Sequence, residues 1–245
     1  MKISVITIVY NAQDTIKRCI ESVISQNYNN IEYIIIDGGS TDASLQIINQ
    51  YKSHIQVLVS EPDQGIYDAM NKGIRLATGE IVGTLNADDF FADQEVISAV
   101  AQAFSANSVG IVYGNLDYIN LAGKIIRKWK SRTCGKNSFQ WGFMPPHPTF
   151  YCKRSLFEKY GFYSLEYGSA ADYELMARLM HKWQVGGLHL NKVMVKMQVG
   201  GVSNSNLINR VKAWSFDFKA MRENSVFLPV LTIVLKPLRK IFQFL

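Results

Sequence analysis

The sequence predicts an α/β fold, a mostly parallel sheet flanked by helices on both faces. Three observations carry this reading. Short β-branched runs at residues 3–9, 31–36 and 80–85 alternate with segments of helical apolar spacing over the first hundred residues, as in repeated βα units. The runs are apolar at nearly every position rather than every second one, which marks strands buried on both faces. Acids then follow two of these runs directly, Asp37 after IEYIII and Asp88-Asp89 after IVGTLNA. The carboxyl ends of strands are where open α/β sheets bind their ligands.

Each element follows from local signals. Residues 3–9 form the first strand, and Asp14 is placed to cap a helix carrying Ile16, Ile20, Val23 and Ile24 at helical spacing. The second strand, 31–36, ends in Asp37-Gly38-Gly39-Ser40, after which Thr41 or Asp42 opens a helix through Leu45, Ile47 and Ile48. A short third strand covers 56–59. A helix over 66–77 is stopped by Thr78-Gly79, and 80–85 is the fourth strand. Residues 110–119 and 124–129 pair as a hairpin across 120–123. The stretch 131–148, rich in Gly, Pro, Ser and aromatics without a period, is a long functional loop. A helix over 171–183, a strand over 192–199 and a helix over 206–224 complete the chain.

Composition narrows the class. The 245 residues are 48% hydrophobic and 19% charged, with 3 cysteines, which excludes a disordered chain and a disulfide scaffold. Cys19, Cys134 and Cys152 are far apart and form no C-x-x-C pair, so they read as reduced thiols. The start, MKISVITIVYNAQ, reads as a strand rather than a secretory leader. Net charge is +6, but residues 1–205 hold 19 Lys/Arg against 18 Asp/Glu, and residues 206–245 hold 7 against 2. A nucleic-acid partner, which draws cations across a main domain, is not expected.

Several residues carry chemistry. Adjacent carboxylates after a buried strand are costly unless solvated or bound to a cation. For Asp88-Asp89, a Mg²⁺ or Mn²⁺ shared with substrate phosphates competes with a simple helix cap, for which Asp93 is a second candidate. Asp68 and Lys72 lie at i and i+4 on one helix face, a solvated pair or a ligand contact. Asp172 opens a late helix as an N-cap or as a reacting acid. His147, in MPPHPTF, is structural or functional, and His54, His181 and His189 lack metal-ligand spacing. No G-x-G-x-x-G follows the first strand, and no G-x-S-x-G elbow occurs.

The blocks SVITIVYNA, IIIDGGSTD and EPDQGIYDAMNKGIRLATGEIVGTLNADD resemble, in order and spacing, the nucleotide-binding half of glycosyltransferase family 2. The resemblance is clear over 1–120 and looser to about 205. It implies the GT-A fold, a Rossmann-like sheet, and transfer from a nucleotide-diphosphate sugar, a UDP-sugar by default, with inversion. On matching positions it implies that Thr7 and Tyr10 line the base and ribose pocket and that Asp37 bonds the nucleoside. The Gly38-Gly39 turn would let backbone approach the ligand. Asp68 and Lys72 would contact the donor, Lys72 facing a phosphate. Asp88 would sit near the ribose, and Asp89 would bind the Mn²⁺ or Mg²⁺ that bridges the diphosphate. Asn86 stands where many relatives carry Asp, leaving the metal to Asp89 and diphosphate oxygens. In AADYELMARLMHKW, Asp172 and Arg178 resemble the family's acid-then-Arg helix, making Asp172 the general base with Glu174 as its rival. His147 falls on the acceptor side, and Gln198 with Gly200, Gly201 and Ser203 resembles a loop that closes over the nucleotide.

The resulting organisation is a GT-A domain over 1–205, with a nucleotide-sugar half (1–120) and an acceptor half (121–205), and a basic, apolar tail over 206–245. Within 226–245, 13 of 20 residues are large and apolar with no acid, but Pro229, Pro237, Lys236, Arg239 and Lys240 interrupt them. No run reaches the ~18 residues of a spanning helix. An in-plane anchor fits these features, and a helix packed on the domain is the alternative. Between Asp117 and Glu158 eight cations occur and no acid. The expected function is transfer of a sugar to a hydroxyl of a glycan or lipid-linked saccharide in surface polysaccharide synthesis, as in O-antigen or capsule assembly, with the enzyme peripheral at the cytoplasmic membrane face. The rivals are a sugar nucleotidyltransferase, whose Gly-rich basic loop VYNAQDT lacks, and a non-catalytic nucleotide-sugar-binding module.

Overall fold

Four strands, β1 (Ile3–Val9), β2 (Ile31–Asp37), β3 (Val57–Ser60) and β4 (Ile81–Asn86), lie parallel in the order β3-β2-β1-β4. The computed structural model describes residues 1–198 and 207–233. Strand alternation divides β1 between two cores. Ile6 and Ile8 face Met70 and Ile74 of α3 (Ile66–Leu76), while Val5 and Val9 face Ile16, Cys19 and Ile20 of α1 (Ile16–Ile24). Gly73 lets α3 lie close to the sheet, since a Cβ there would stand 2.4 Å from Ile6 Cγ2. The expected Asp14 cap is a correction: Thr15 holds the N-cap position of α1 without a side-chain bond. The backbone N–H groups of Thr15 and Ile16 are satisfied by the Ala12 carbonyl instead. At α2 (Ser44–Gln50) the N-cap position falls to Ala43, also without a side-chain cap, while Asp42 just before it accepts the Ser44 N–H at 2.9 Å.

Beyond β4 the sheet is mixed. β8 (Tyr151–Lys153) runs antiparallel to both β4 and β6 (Ile111–Ile119), so β6 points the same way as β4. β9 (Gly187–Gln198) is parallel to β6 and carries β5 (Asp89–Phe91) antiparallel on its far side. β7 (Ile125–Trp129) folds back on β6 as the expected hairpin. The carboxyl ends of β1, β2, β4, β6 and β9 therefore share one edge. Around the sheet lie α4 (Val96–Ala106), α5 (Arg154–Tyr160), α6 (Ala171–Met176), which continues as a wider π turn to Lys182, and α7 (Leu207–Glu223). The loop 131–148 is irregular apart from helical turns at Ser138–Trp141 and from His147. Gly200, Gly201 and Ser203 lie outside the described residues, as does position 205.

The C-terminal segment packs on the domain on one side. Ala220, Met221 and Val226 are buried in the core that holds α6, and the buried Thr232 donates to the Gln140 carbonyl at 2.8 Å. Phe227, Leu228, Val230 and Leu231 remain exposed, Phe227 at 81%. The rest of the tail, from 234, lies outside the described residues. No helix among the described residues is long and apolar enough to cross a membrane.

At the opposite, amino edge of the sheet one acid has a purely structural task. The buried Glu32 accepts from Lys2 Nζ (2.8 Å), Ser4 Oγ (2.5 Å), Thr78 Oγ1 (2.5 Å) and the Thr78 N–H (2.8 Å). Burial pushes its carboxyl up, but these bonds together outweigh burial and hold it down at about 2. A depressed carboxylate stabilises the fold above its ordinary value of 4.5, and that contribution is lost as pH falls through about 2. Glu32→Gln is expected to lower unfolding free energy by about 2–3 kcal/mol at neutral pH. The difference from wild type should close between pH 4.5 and 2, which urea melts across that range would read. A pH-independent difference would remove this account.

Candidate active site

The carboxyl edge collects Asp37, Tyr10, Asp68, Lys72, Asp88 and Asp89. Asp37 ends β2 fully buried and accepts from Ser40 Oγ (2.5 Å), Ser60 Oγ (2.7 Å) and the Ser40 N–H. These bonds fold the chain sharply at the strand end. Gly39 sits there at φ +81°, a conformation that favours glycine. A Cβ at Gly38 would lie 2.3 Å from Asp63 Oδ2, so the missing side chain makes room for Asp63. Tyr10, just past β1, is 64% exposed.

Thr7 is a correction. It is fully buried on the α1 side of β1, with its hydroxyl 3.1 Å from the Tyr33 hydroxyl and 3.7 Å from Cys19 Sγ. The strand period of two turns Thr7 into the core and gives the opposite face to Ile8. Turned into that core against Tyr33 and Cys19, the Thr7 side chain does not face the carboxyl edge where a nucleotide would lie.

Asp88 and Asp89 stand where β4 gives way to β5. Asp88 is half-buried and Asp89 wholly buried. Asn86 Nδ2 donates to Asp89 Oδ2 at 3.3 Å, and Asp89 Oδ1 has no hydrogen-bond partner. Burial first, and the Asp88 charge second, push the Asp89 carboxyl well above the usual carboxylate range, and burial raises Asp88 too. Arg18 of α1 adds the nearest positive field, lying over the Phe90 ring at 4.3 Å and donating to Gln198 Oε1 at 2.5 Å. A buried carboxylate with an orphaned oxygen fits a cation, which would supply the missing partner. No cluster of three or more His, Cys, Asp or Glu side chains suited to a metal occurs among the described residues. The two aspartates thus form an incomplete site that ligand oxygens would have to finish.

Helix α3 joins this half to the next. Its Asp68 and Lys72 do share a face, 3.8 Å apart. Lys72 Nζ is also held by Glu61 (2.9 Å) and the Pro62 carbonyl (2.9 Å), so its charge organises the 61–65 loop. Two neighbours on the same helix went unnoticed in the sequence. Asn71 exchanges two hydrogen bonds with the backbone of Tyr163, at 2.8 and 3.0 Å. Tyr67 stacks on the Tyr163 ring (centroids 5.5 Å apart), with its hydroxyl against Asp172. The i, i+4 spacing of Tyr67 and Asn71 was a legible signal for one shared face, but nothing local named its partner.

Asp172 sits half-buried in the first turn of α6, accepting the Tyr173 N–H at 2.7 Å. His147 is buried behind it, with Nε2 2.8 Å from the Tyr163 hydroxyl. Burial lowers the His147 pKa against the opposing pull of Asp172, which favours the neutral imidazole. Glu174 is placed quite differently. It is buried, its carboxylate takes Arg178 Nε at 3.1 Å and Nη2 at 2.9 Å, and Asn224 Nδ2 donates to it at 3.1 Å. Arg178 further donates to the carbonyls of Tyr160 and Phe162. The two acids of this helix are thus separated by environment: one beside the aromatic cluster, the other consumed by an ion pair.

The profile of Glycosyl transferase family 2 matches residues 4–166, about two thirds of the chain. The chain belongs to that family. The match spans Asp37, Asp68, Asp88 and Asp89 and ends shortly before Asp172. An uncharacterized glycosyltransferase of Mycobacterium tuberculosis is 34% identical over 183 residues, which is 72% of this chain and 68% of that protein. Among solved structures, this family 2 glycosyltransferase resembles a mannosyltransferase of Pyrobaculum calidifontis in complex with GDP-Man and Mn²⁺. The TM-score is 0.68 at 19% identity, covering 96% of this chain and 68% of the other. It also resembles S. aureus TarS 1-349 in complex with UDP-GlcNAc, with a TM-score of 0.67 at 17% identity. That overlap covers 91% of this chain but only 66% of the TarS chain. At such identities the two likenesses speak to the fold. They agree with the α/β architecture that the strand runs predict.

Proposed function

We propose that this family 2 glycosyltransferase moves a sugar from a nucleotide-diphosphate sugar to an acceptor hydroxyl with inversion, Asp172 acting as general base. The observation that carries the reading is the division of labour among its buried acids. Glu174 is neutralised by Arg178 and held by Asn224, whereas Asp172 stands half-buried at the seam between α3 and α6, beside the Tyr67 hydroxyl and accepting the Tyr173 N–H. Such a base takes the proton of the attacking hydroxyl and contributes about 10²–10⁴-fold. Tyr10, Asp37, Asp68 and Lys72 form the donor rim in this reading, Asp88 lies by the ribose, and His147 supports the acceptor side through Tyr163.

Asp89, with Asp88, would hold Mn²⁺ or Mg²⁺ together with diphosphate oxygens. A divalent ion there would offset the charge of the leaving nucleotide. Arg18 contributes a fixed cation beside the same carboxylates. The donor is a UDP-sugar by default. The acceptor is a glycan or lipid-linked saccharide, and the exposed apolar residues from Phe227 to Leu231 support peripheral work at the cytoplasmic face of a membrane.

Thermal melts with UDP, GDP, dTDP and CMP, each with and without Mn²⁺, test the donor site. A nucleotide at 100 times its Kd adds about 2.7 kcal/mol of stability. One nucleoside diphosphate should give a shift that requires Mn²⁺ and disappears in Asp89→Asn. The same substitution should raise the stability of the metal-free protein by about 1 kcal/mol at neutral pH, because the amide spares the cost that burial imposes on a carboxylate with one unpartnered oxygen. The sign follows from the raised carboxyl: neutral Asp89 stabilises at low pH, and that contribution is lost as pH rises toward its elevated value. Loss of stability in the metal-free variant, or a nucleotide shift that survives it, would remove Asp89 from this role.

A further inference from the structure

The β6–β7 hairpin reaches well beyond the end of β4. Gly83 of β4 and Val112 of β6 both pair with Tyr151, so they stand level across β8. From that level β4 ends at Asn86 and β6 at Ile119, an overreach of four residues, or about 13 Å. The hairpin therefore runs past the end of β4, and its turn projects beyond the level of Asp89. Asp89 and Tyr118 both pair with Met197 of β9, and the Arg127 guanidinium lies 4.4 Å over the Tyr118 ring.

The surface of this finger does not match a simple solvated loop. Its tip is a fixed turn, in which Asn120 Oδ1 accepts the N–H groups of Ala122 and Lys124, and Gly123 takes φ +75°. On that turn Leu121 is 85% exposed. Ile125 and Ile126, at a register shift of the β6–β7 ladder, are 40% and 42% exposed, so the domain leaves both largely uncovered. Lys124, Lys128 and Lys130 are exposed among them, and the sequence holds no acid from 118 to 157. Lysines on an edge strand commonly keep it from pairing with other chains, but that purpose is poorly served by three bare aliphatic side chains at the tip.

We propose that the β6–β7 hairpin is a membrane-contacting finger, its aliphatic tip entering the interface of an anionic bilayer while its lysines meet the headgroups. The proposal deepens the reading of a membrane-borne acceptor and rests on it for its purpose. A bilayer is the occupant that fits, because the finger ends in a projecting turn that carries exposed aliphatic side chains among lysines and no acid. A folded protein partner needs a broader and flatter patch, whereas interfacial insertion draws on just this combination of aliphatic and basic residues. Held this way, the finger would keep the edge carrying Asp89 close to the lipid surface, independently of the C-terminal tail.

Co-sedimentation of the full chain with phosphatidylcholine vesicles, with and without 30% (about one third) phosphatidylglycerol, tests this. Wild type should bind the anionic vesicles and bind the neutral ones weakly. L121S/K124E, which alters only exposed tip side chains, should bind at least about 10-fold more weakly with an unchanged melting temperature. Undiminished binding by that variant would overturn the proposal and leave any membrane contact to the tail. Absence of wild-type binding to either vesicle would overturn both the finger and the membrane-borne acceptor. Retained nucleotide stabilisation in the same samples would show that the donor-site reading still stands. A dimer in sedimentation velocity that dissociates in L121S/K124E would reassign the tip to contact between copies and likewise overturn the proposal.

Discussion

Asp172→Asn is expected to lower turnover by at least about 10²-fold, roughly 2.7 kcal/mol of barrier, in a protein that folds normally. The amide keeps the shape of the side chain, and its Oδ1 can still accept the Tyr173 N–H that the carboxylate accepts at 2.7 Å. What it loses is the capacity to take a proton from the acceptor hydroxyl. Donor binding does not depend on that capacity, so the Mn²⁺-dependent nucleotide shift should persist in the variant. Release of nucleoside diphosphate, measured with whichever donor stabilises the protein, reads the effect. A folded Asp172→Asn with near-normal turnover would take the base away from this residue.

Glu174→Ala should fail in the opposite manner. It strips the buried Arg178 of a carboxylate held through two nitrogens and leaves Asn224 short of an acceptor. Removing one partner of a buried pair costs about 3–5 kcal/mol, since the remaining charge stays desolvated. Urea unfolding should show that loss, and E174Q/R178M should recover part of it because both charges go together. Arg178 also holds the carbonyls of Tyr160 and Phe162, ahead of Tyr163, so some misplacement of the aromatic cluster is expected in the alanine variant. A stable Glu174→Ala with turnover abolished would instead restore Glu174 as the base. The two substitutions thus separate a residue that reacts from one that holds the helix, although both acids lie within three positions of each other.

How much of this was legible in the sequence differs along the chain for physical reasons. The parallel half was plain, because β1, β2 and β4 are long, β-branched and buried on both faces, and their helices carry one apolar stripe each. The hairpin of β6 and β7 was equally readable from its turn. β5 and β8, three residues each, were not. A strand that short has no periodicity, and it exists only because longer neighbours offer it a ladder. The mixed half of the sheet is built on those two strands, so its topology was out of reach.

The site divides along the same line. The sequence by itself determined which acids end strands, the shared face of Asp68 and Lys72, the Asp88-Asp89 pair and the family to which these blocks belong, because each is set by spacing within one element or one turn. Tertiary structure alone decided that Thr7 faces the core, since the face of a strand residue depends on which helix covers it. It decided that Asp63 fills the space beside Gly38, that Arg18 stands by the aspartates, and that Tyr67 and Asn71 reach across to Tyr163 and Asp172. It also set Asp172 and Glu174 in different surroundings, because the environment of a carboxylate is made by residues such as Asn224 that lie fifty positions away. Local chemistry chooses the residue types; only packing assigns each one its neighbours, and with them its charge state and its task.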